Sequence, residues 1–230
     1  MKFVGSALMT FILAVPLGAC SRSEPPAPAP VAQAAPAAQA TPAAQEVAQA
    51  LPPELVARLV RPNSPVLGAA NARVTVVEVL DPACEACRAF APVVEQLLFL
   101  YPEDVRVVLR FADFHLPSQE AIRLLEAARK QGKFQPLLDA LFERQQEWAS
   151  HGSPDTGRIW TIAGEVGVNV PKARKDSESA TVDDMLRLEA EDLLALKVER
   201  TPTFFVNGKL LVSFGAEQLF DLVKQEVGAQ

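Results

Sequence analysis

Val74-Thr75-Val76-Val77-Glu78-Val79-Leu80 is an almost unbroken apolar run of strand length. A strand covered on both faces reads this way, whereas a half-exposed one alternates. The period then changes. Phe90, Val93, Val94, Leu97 and Leu98 recur at three- and four-residue steps, which predicts an amphipathic helix from Cys84 to Leu100. Pro92 lies inside that helix and predicts a kink. Val105 to Phe111 returns to strand patterning. From Ser118 to about Val198 the pattern is helical, cut into several helices. Gly132 and Gly167 are expected to stop helices, and Asp155 and Thr181 to cap helix starts. Thr203–Val206, Asn207-Gly208 and Lys209–Ser213 then read as a β-hairpin with a type I′ turn. An amphipathic helix from about Ala216 to Val227 closes the chain. The predicted order is βαβ, a helical block, then ββα. This is an α/β domain, and Glu54 to Gln230 is the right length for one.

The composition shifts upstream. Ser21 to about Pro53 is nearly all Ala, Pro, Gln, Ser and Glu. Such a segment buries too little apolar area to order itself, so a disordered linker is expected. Its prolines favour an extended chain with a reach on the order of 100 Å. Before it, Met1-Lys2 and the apolar run Phe3 to Leu17 have the form of a signal peptide. The run is shorter than the ~20 residues of a spanning helix. It ends Leu17-Gly18-Ala19-Cys20, which resembles the lipobox of bacterial lipoproteins. That resemblance implies lipidation of Cys20, which becomes the new N-terminus. The expected division is 1–19 signal peptide, 20–53 lipidated cysteine and linker, and 54–230 folded domain. Its expected location is the bacterial cell envelope, lipid-anchored to a membrane and facing the periplasm, where disulfides persist.

Net charge is −6 with no basic stripe, so nucleic acid is not an expected partner. The chain has three cysteines. With Cys20 lipidated, Cys84 and Cys87 carry the thiols. Their spacing, Cys84-Glu85-Ala86-Cys87, closes a small disulfide ring at a predicted helix start. There, unpaired backbone N–H groups and the helix dipole favour a thiolate. A zinc site would need two further ligands, and only His115 and His151 are on offer. Arg88 stands where c-type haem attachment needs histidine. No metal or cofactor is predicted, and the two histidines are assigned no chemistry.

Three stretches together resemble the thioredoxin superfamily, in its DsbA-like branch. One is Glu78-Val79-Leu80-Asp81-Pro82-Ala83-Cys84-Glu85-Ala86-Cys87-Arg88, with an acid six residues before the first cysteine. The second is Pro92 in the following helix. The third is Thr201-Pro202-Thr203-Phe204-Phe205-Val206-Asn207-Gly208. The resemblance covers Glu54 to Gln230 and implies a thioredoxin-like fold with a helical insertion at about 115–199. It implies that Cys84 is the exposed nucleophile and Cys87 the resolving thiol. Glu78 becomes a buried acid that relays the Cys87 proton. Pro202 is expected to be cis in a loop that faces the disulfide, with Thr201 pairing through its backbone with an extended client. From the residues alone, Glu78 could also be a solvated strand-edge residue.

Glu85, Ala86 and Arg200 depart from the family pattern and are expected to tune the redox chemistry. Glu85 opposes a Cys84 thiolate, and Arg200 offsets Glu85 if it points toward the site. The expected protein is a monomeric thiol–disulfide oxidoreductase. Its substrates are exported protein thiols and disulfides, and a membrane redox partner resets it. A disulfide-donating oxidase leads. A reductase fed by a membrane electron donor, a copper-delivery module on Cys84 and Cys87, and a non-catalytic adaptor remain open.

Overall fold

The computed structural model describes residues 48–229. The expected signal peptide, the expected lipidation site Cys20 and the expected linker up to residue 47 lie outside the described residues. The elements are β1 (Ala48–Ala50), α1 (Pro53–Leu59), β2 (Val66–Gly68), β3 (Val74–Leu80), α2 (Glu85–Leu100), β4 (Val105–Phe111), α3 (Ser118–Arg129), α4 (Phe134–Glu143), α5 (Gln145–Trp148), α6 (Thr156–Glu165), α7 (Val170–Ser177), α8 (Ala180–Ala195), β5 (Thr203–Val206), β6 (Lys209–Leu211) and α9 (Ala216–Gly228). The strands form one sheet in the order β1-β6-β5-β3-β4-β2. Only β3 and β4 are parallel, with Val74 opposite Val105 and Leu80 opposite Phe111. Each neighbouring pair elsewhere is antiparallel.

The two apolar strands are continuous because both sheet faces are covered. Val76 and Leu80 pack into the core that holds α2, α3, α4 and α9. Val77 and Val79 pack into a second core with Leu59 of α1 and Leu193 of α8. Alternation along β3 therefore places Glu78 on the α2 side with Val76 and Leu80. In α2 itself, Val94 and Leu97 are buried, with Phe90, Val93 and Leu98 partly so.

One buried ion cluster fastens the second face. Arg110 of β4 is 1% exposed. Its Nε donates to both carboxylate oxygens of Glu189 at 2.9 Å, and its Nη2 to Asp192 Oδ2 at 2.9 Å. Its Nη1 donates to the Leu59 carbonyl at 2.9 Å. Arg58 and Arg61 also reach Asp192, at 2.9 and 2.6 Å. This ties α1 and α8 to the sheet.

Several boundaries differ from the sequence reading. Ala48–Ala50, assigned to the linker, forms an edge strand on β6, with Ala48 opposite Leu211 and Ala50 opposite Lys209. α1 begins at Pro53, where a proline needs no amide donor. Asp155 does cap α6, its side chain accepting from the Arg158 amide. Thr181 does not cap α8. The extended residue is Ser179, and Thr181 already lies in the first turn. The hairpin turns on Asn207 and Gly208, both at positive φ (47° and 80°) as type I′ requires. Its second strand ends at Leu211 rather than Ser213. Gly132 and Gly167 follow helix ends at φ 68° and 84°, the left-handed conformation that glycine adopts without a Cβ clash.

Candidate active site

The first parallel strand delivers the chain to one end of the sheet. After Leu80, Asp81-Pro82-Ala83 turns it into α2. The Cys84 amide donates to the Asp81 carbonyl at 3.0 Å. Cys84 is the N-cap of α2, with extended backbone (φ −75°, ψ 122°), and Cys87 sits in the first turn. Both are free thiols.

Cys84 is 7% exposed and Cys87 is fully buried. The expected ranking holds, but Cys84 is less open than expected, because the loop before β5 closes over it. The Thr201-Pro202 bond in that loop is cis. The Cys84 thiol donates to the Thr201 carbonyl at 3.3 Å. Phe90 of α2 packs on Phe204 at 5.6 Å and on Phe214 at 4.6 Å between ring centroids. These contacts hold the cysteine-bearing helix to β5.

The two thiols are driven apart electrostatically. Hydrogen bonding from Cys87 holds the Cys84 pKa down at about 5. The Thr201 side chain and the amides of Cys87 and Ala86 add to this, against partial desolvation. Burial pushes the Cys87 thiol far up, and its hydrogen bond to Cys84 adds to that. Glu78 is 4% exposed, and burial pushes its carboxyl up to about 8. A carboxyl in that range exchanges protons near neutrality.

Asp81 organises the turn, and the sequence reading gave it no role. Its amide donates to Cys87 Sγ at 3.4 Å. Its fully buried carboxylate accepts from the Ala83 amide at 2.8 Å, the Phe114 amide at 2.8 Å and the His115 amide at 3.2 Å. It also accepts from the Ser118 hydroxyl and meets His115 Nδ1 at 2.8 Å. His115, left without chemistry from sequence, is therefore a ligand of the active-site turn. The local signal was an acidic residue before proline at a strand end, a turn-forming pattern.

Gln145 was also missed. This buried residue of α5 donates from Nε2 to the Pro82 carbonyl at 2.9 Å and the Cys84 carbonyl at 3.0 Å. Those partners are 63 and 61 residues away, so no local pattern could have marked it.

Glu85 meets side chains of the helical insertion. It accepts from Gln146 Nε2 at 3.3 Å and lies 3.7 Å from His151 Nε2. The Arg200 side chain makes no hydrogen bond or ion pair among the described residues, and its carbonyl accepts from Thr203 Oγ1 at 2.7 Å. Glu85 is therefore met by Gln146 and His151 of the insertion rather than by Arg200. Among the described residues, no group of three or more His, Cys, Asp or Glu side chains could hold a metal ion.

The family profile described as Thioredoxin matches residues 61–225. A thioredoxin-like oxidoreductase from Silicibacter pomeroyi DSS-3 is 31% identical, with a TM-score of 0.64 over 74% of this chain and 95% of its own. Disulfide bond formation protein D of Bacillus subtilis (strain 168) is 25% identical over 179 residues, 72% of this chain and 76% of its length. The Na(+)/H(+) antiporter NhaA of Herminiimonas arsenicoxydans is 30% identical over 146 residues, 64% of this chain. The match spans 22% of the length of that antiporter.

Proposed function

The chain belongs to the thioredoxin family, among its disulfide oxidoreductases, and from that premise we propose that it donates disulfides to exported proteins. It works as a monomer in the bacterial envelope, held to a membrane by lipid on Cys20. The observation that carries the direction is the place of Cys84 at the N-cap of α2 with Cys87 in the first turn, where hydrogen bonding from Cys87 and the helix amides holds its pKa down at about 5. A stabilised thiolate stabilises the reduced protein, which makes its disulfide the stronger oxidant.

The reaction runs through the Cys84–Cys87 disulfide. A client thiolate attacks Cys84 Sγ, forming a mixed disulfide and breaking the Cys84–Cys87 bond. Cys87 leaves and takes a proton from the Glu78 carboxyl. A second client thiolate attacks the client sulfur in the mixed disulfide and expels Cys84 as its thiolate. The client has lost two electrons and gained a disulfide. A membrane redox partner accepts those electrons and restores the Cys84–Cys87 bond. The backbone of Thr201 and Pro202 faces the client, which suits an extended segment of variable sequence. The hydrogen bond from Cys87 sets the Cys84 potential, with the amides of Ala86 and Cys87 adding to it, and Glu85 is held by Gln146 and His151.

Acid-quenched alkylation in living cells tests the direction. Mostly oxidised Cys84–Cys87 is expected, and a mostly reduced pair would make the protein a reductase. Cys87→Ala should trap clients as DTT-sensitive mixed disulfides, and Cys84→Ala should not. Cys20→Ser should release the protein from membranes or leave it unprocessed. Detergent-requiring association unchanged in that variant would refute the lipid anchor.

A further inference from the structure

We propose that Cys87 and Glu78 exchange their proton with solvent through a side cavity between α2 and α4, with Asp139 of the helical insertion as the relay group at its mouth. The inference rests on the oxidoreductase reading of the cysteine pair.

A cavity of about 390 Å³ lies against the α2 face of the sheet. Glu78, Glu95, Gln135 and Asp139 are its polar lining, among apolar side chains that include Leu80 and Ala91. Water occupies about 30 Å³ per molecule in the liquid, so the space holds a chain of them. An all-apolar cavity stays dry, but this one carries three carboxyl groups and an amide, which water can bridge.

Glu78 and Gln135, the two of those groups that are not exposed, each leave oxygen without a protein partner among the described residues. Glu78 is 4% exposed and makes no hydrogen bond or ion pair among the described residues. The Gln135 amide donates to Asp139 Oδ1 at 2.7 Å, yet its Oε1 is buried and unpartnered. Buried polar groups left unmade are costly, so both call for a donor or acceptor in the cavity.

The cavity reaches solvent. A shallower one of about 220 Å³ shares Ala91, Glu95, Asp139 and Phe142 with it and adds Arg88 and Glu143. Asp139 stands at the exposed end. Partial burial raises its proton affinity, against the Gln135 hydrogen bond that lowers it. The charged groups facing the route are Glu78 from β3, Arg88 and Glu95 from α2, and Asp139 and Glu143 from α4.

The topology explains the need for a second entrance. The loop holding Thr201 and Pro202 leads into β5, on one side of β3, while the cavity is lined by residues of β2 and β4 on the other. A client bound at Cys84 covers the first side. Cys87 is fully buried, so its proton must then come from the second. The Glu78 carboxyl gives its proton to the departing Cys87 thiolate. The carboxylate is reprotonated by cavity water, which draws on Asp139 and, through it, on solvent. One proton enters at Cys87 per client disulfide formed, and Cys84 remains a thiolate.

Stopped-flow oxidation of a dithiol peptide by the full-length disulfide form tests this. Asp139→Asn should slow the single-turnover rate by about tenfold, less than loss of a group that touches the reacting atoms. It should raise the solvent deuterium isotope effect, leave the glutathione equilibrium unchanged, and be rescued by a small buffer acid such as imidazolium. Ala91→Leu, which fills the route, should also be slow and should resist rescue. A wild-type rate in Asp139→Asn, or a slow rate with a shifted equilibrium and no rescue, overturns the proposal. Absence of any thiol exchange in the wild-type protein would instead refute the oxidoreductase reading on which it rests.

Discussion

The backbone amide of Asp81 points at the sulfur of Cys87, 3.4 Å away. The same residue gathers the Ala83, Phe114 and His115 amides on its buried carboxylate. One side chain therefore fixes the turn before α2 and the loop after β4, and its own amide is aimed as a result.

Asp81→Ala should destabilise the domain by about 3 kcal/mol, since several donors to a charged group lose their acceptor. The aim of the amide on Cys87 should relax with it. Denaturant unfolding, with alkylation rates of Cys87 in the folded protein, measures both. Wild-type values for both would show that the turn holds itself.

Cys84 should titrate at about 5, held down by hydrogen bonding from Cys87. Cys87 is the largest contributor to that depression, so Cys87→Ala should raise the midpoint toward the free-thiol range. Thiolate absorbance of the reduced proteins reads this. An unchanged midpoint would assign the depression to the α2 amides and Thr201.

Glu78 links stability to pH. It ionises at 4.5 ordinarily and at about 8 when folded. Below 4.5 both states hold the proton. Between 4.5 and 8 only the unfolded state releases it, so stability falls as pH rises. Glu78→Leu should remove that slope. The variant should gain on the wild type by about 1.4 kcal/mol per pH unit across the window. Urea unfolding at pH 5 and pH 7.5 compares them, and parallel curves would mean Glu78 is not held protonated.

Arg110→Ala would strand Glu189 and Asp192, both nearly or fully buried. Removing one partner of such a cluster costs about 3–5 kcal/mol. The loss should appear in thermal unfolding, with slow exchange lost first in α1 and α8. A cost under about 1 kcal/mol would mean water replaces the guanidinium.

Much of this was legible along the chain, and the exceptions share a cause. β3, α2 and β4 declare themselves by period, because burial of whole faces repeats locally. Cys84, Cys87 and Pro202 stand in short stretches whose spacing is itself the signal. Ala48–Ala50 has no such signal, since Ala-Gln-Ala becomes a strand only by pairing with Leu211 and Lys209. Arg110 reads as an anomaly in an apolar strand until Glu189 and Asp192 arrive from 79 and 82 residues away. Gln145 and His115 fail for the same reason. Their partners are backbone and carboxylate groups of a distant turn, and position along the chain does not encode them.

The pairing of Ala48 with Leu211 also decides from which pole the domain is held. β6 runs from Lys209 toward Leu211, antiparallel to β5, so Leu211 lies at the end of the sheet where β5 begins and β3 finishes. The polypeptide preceding Ala48 therefore joins the fold at the cysteine-bearing pole, not at the opposite one. A pull applied through Ala48 would therefore load the sheet at the end that carries Cys84 and Cys87.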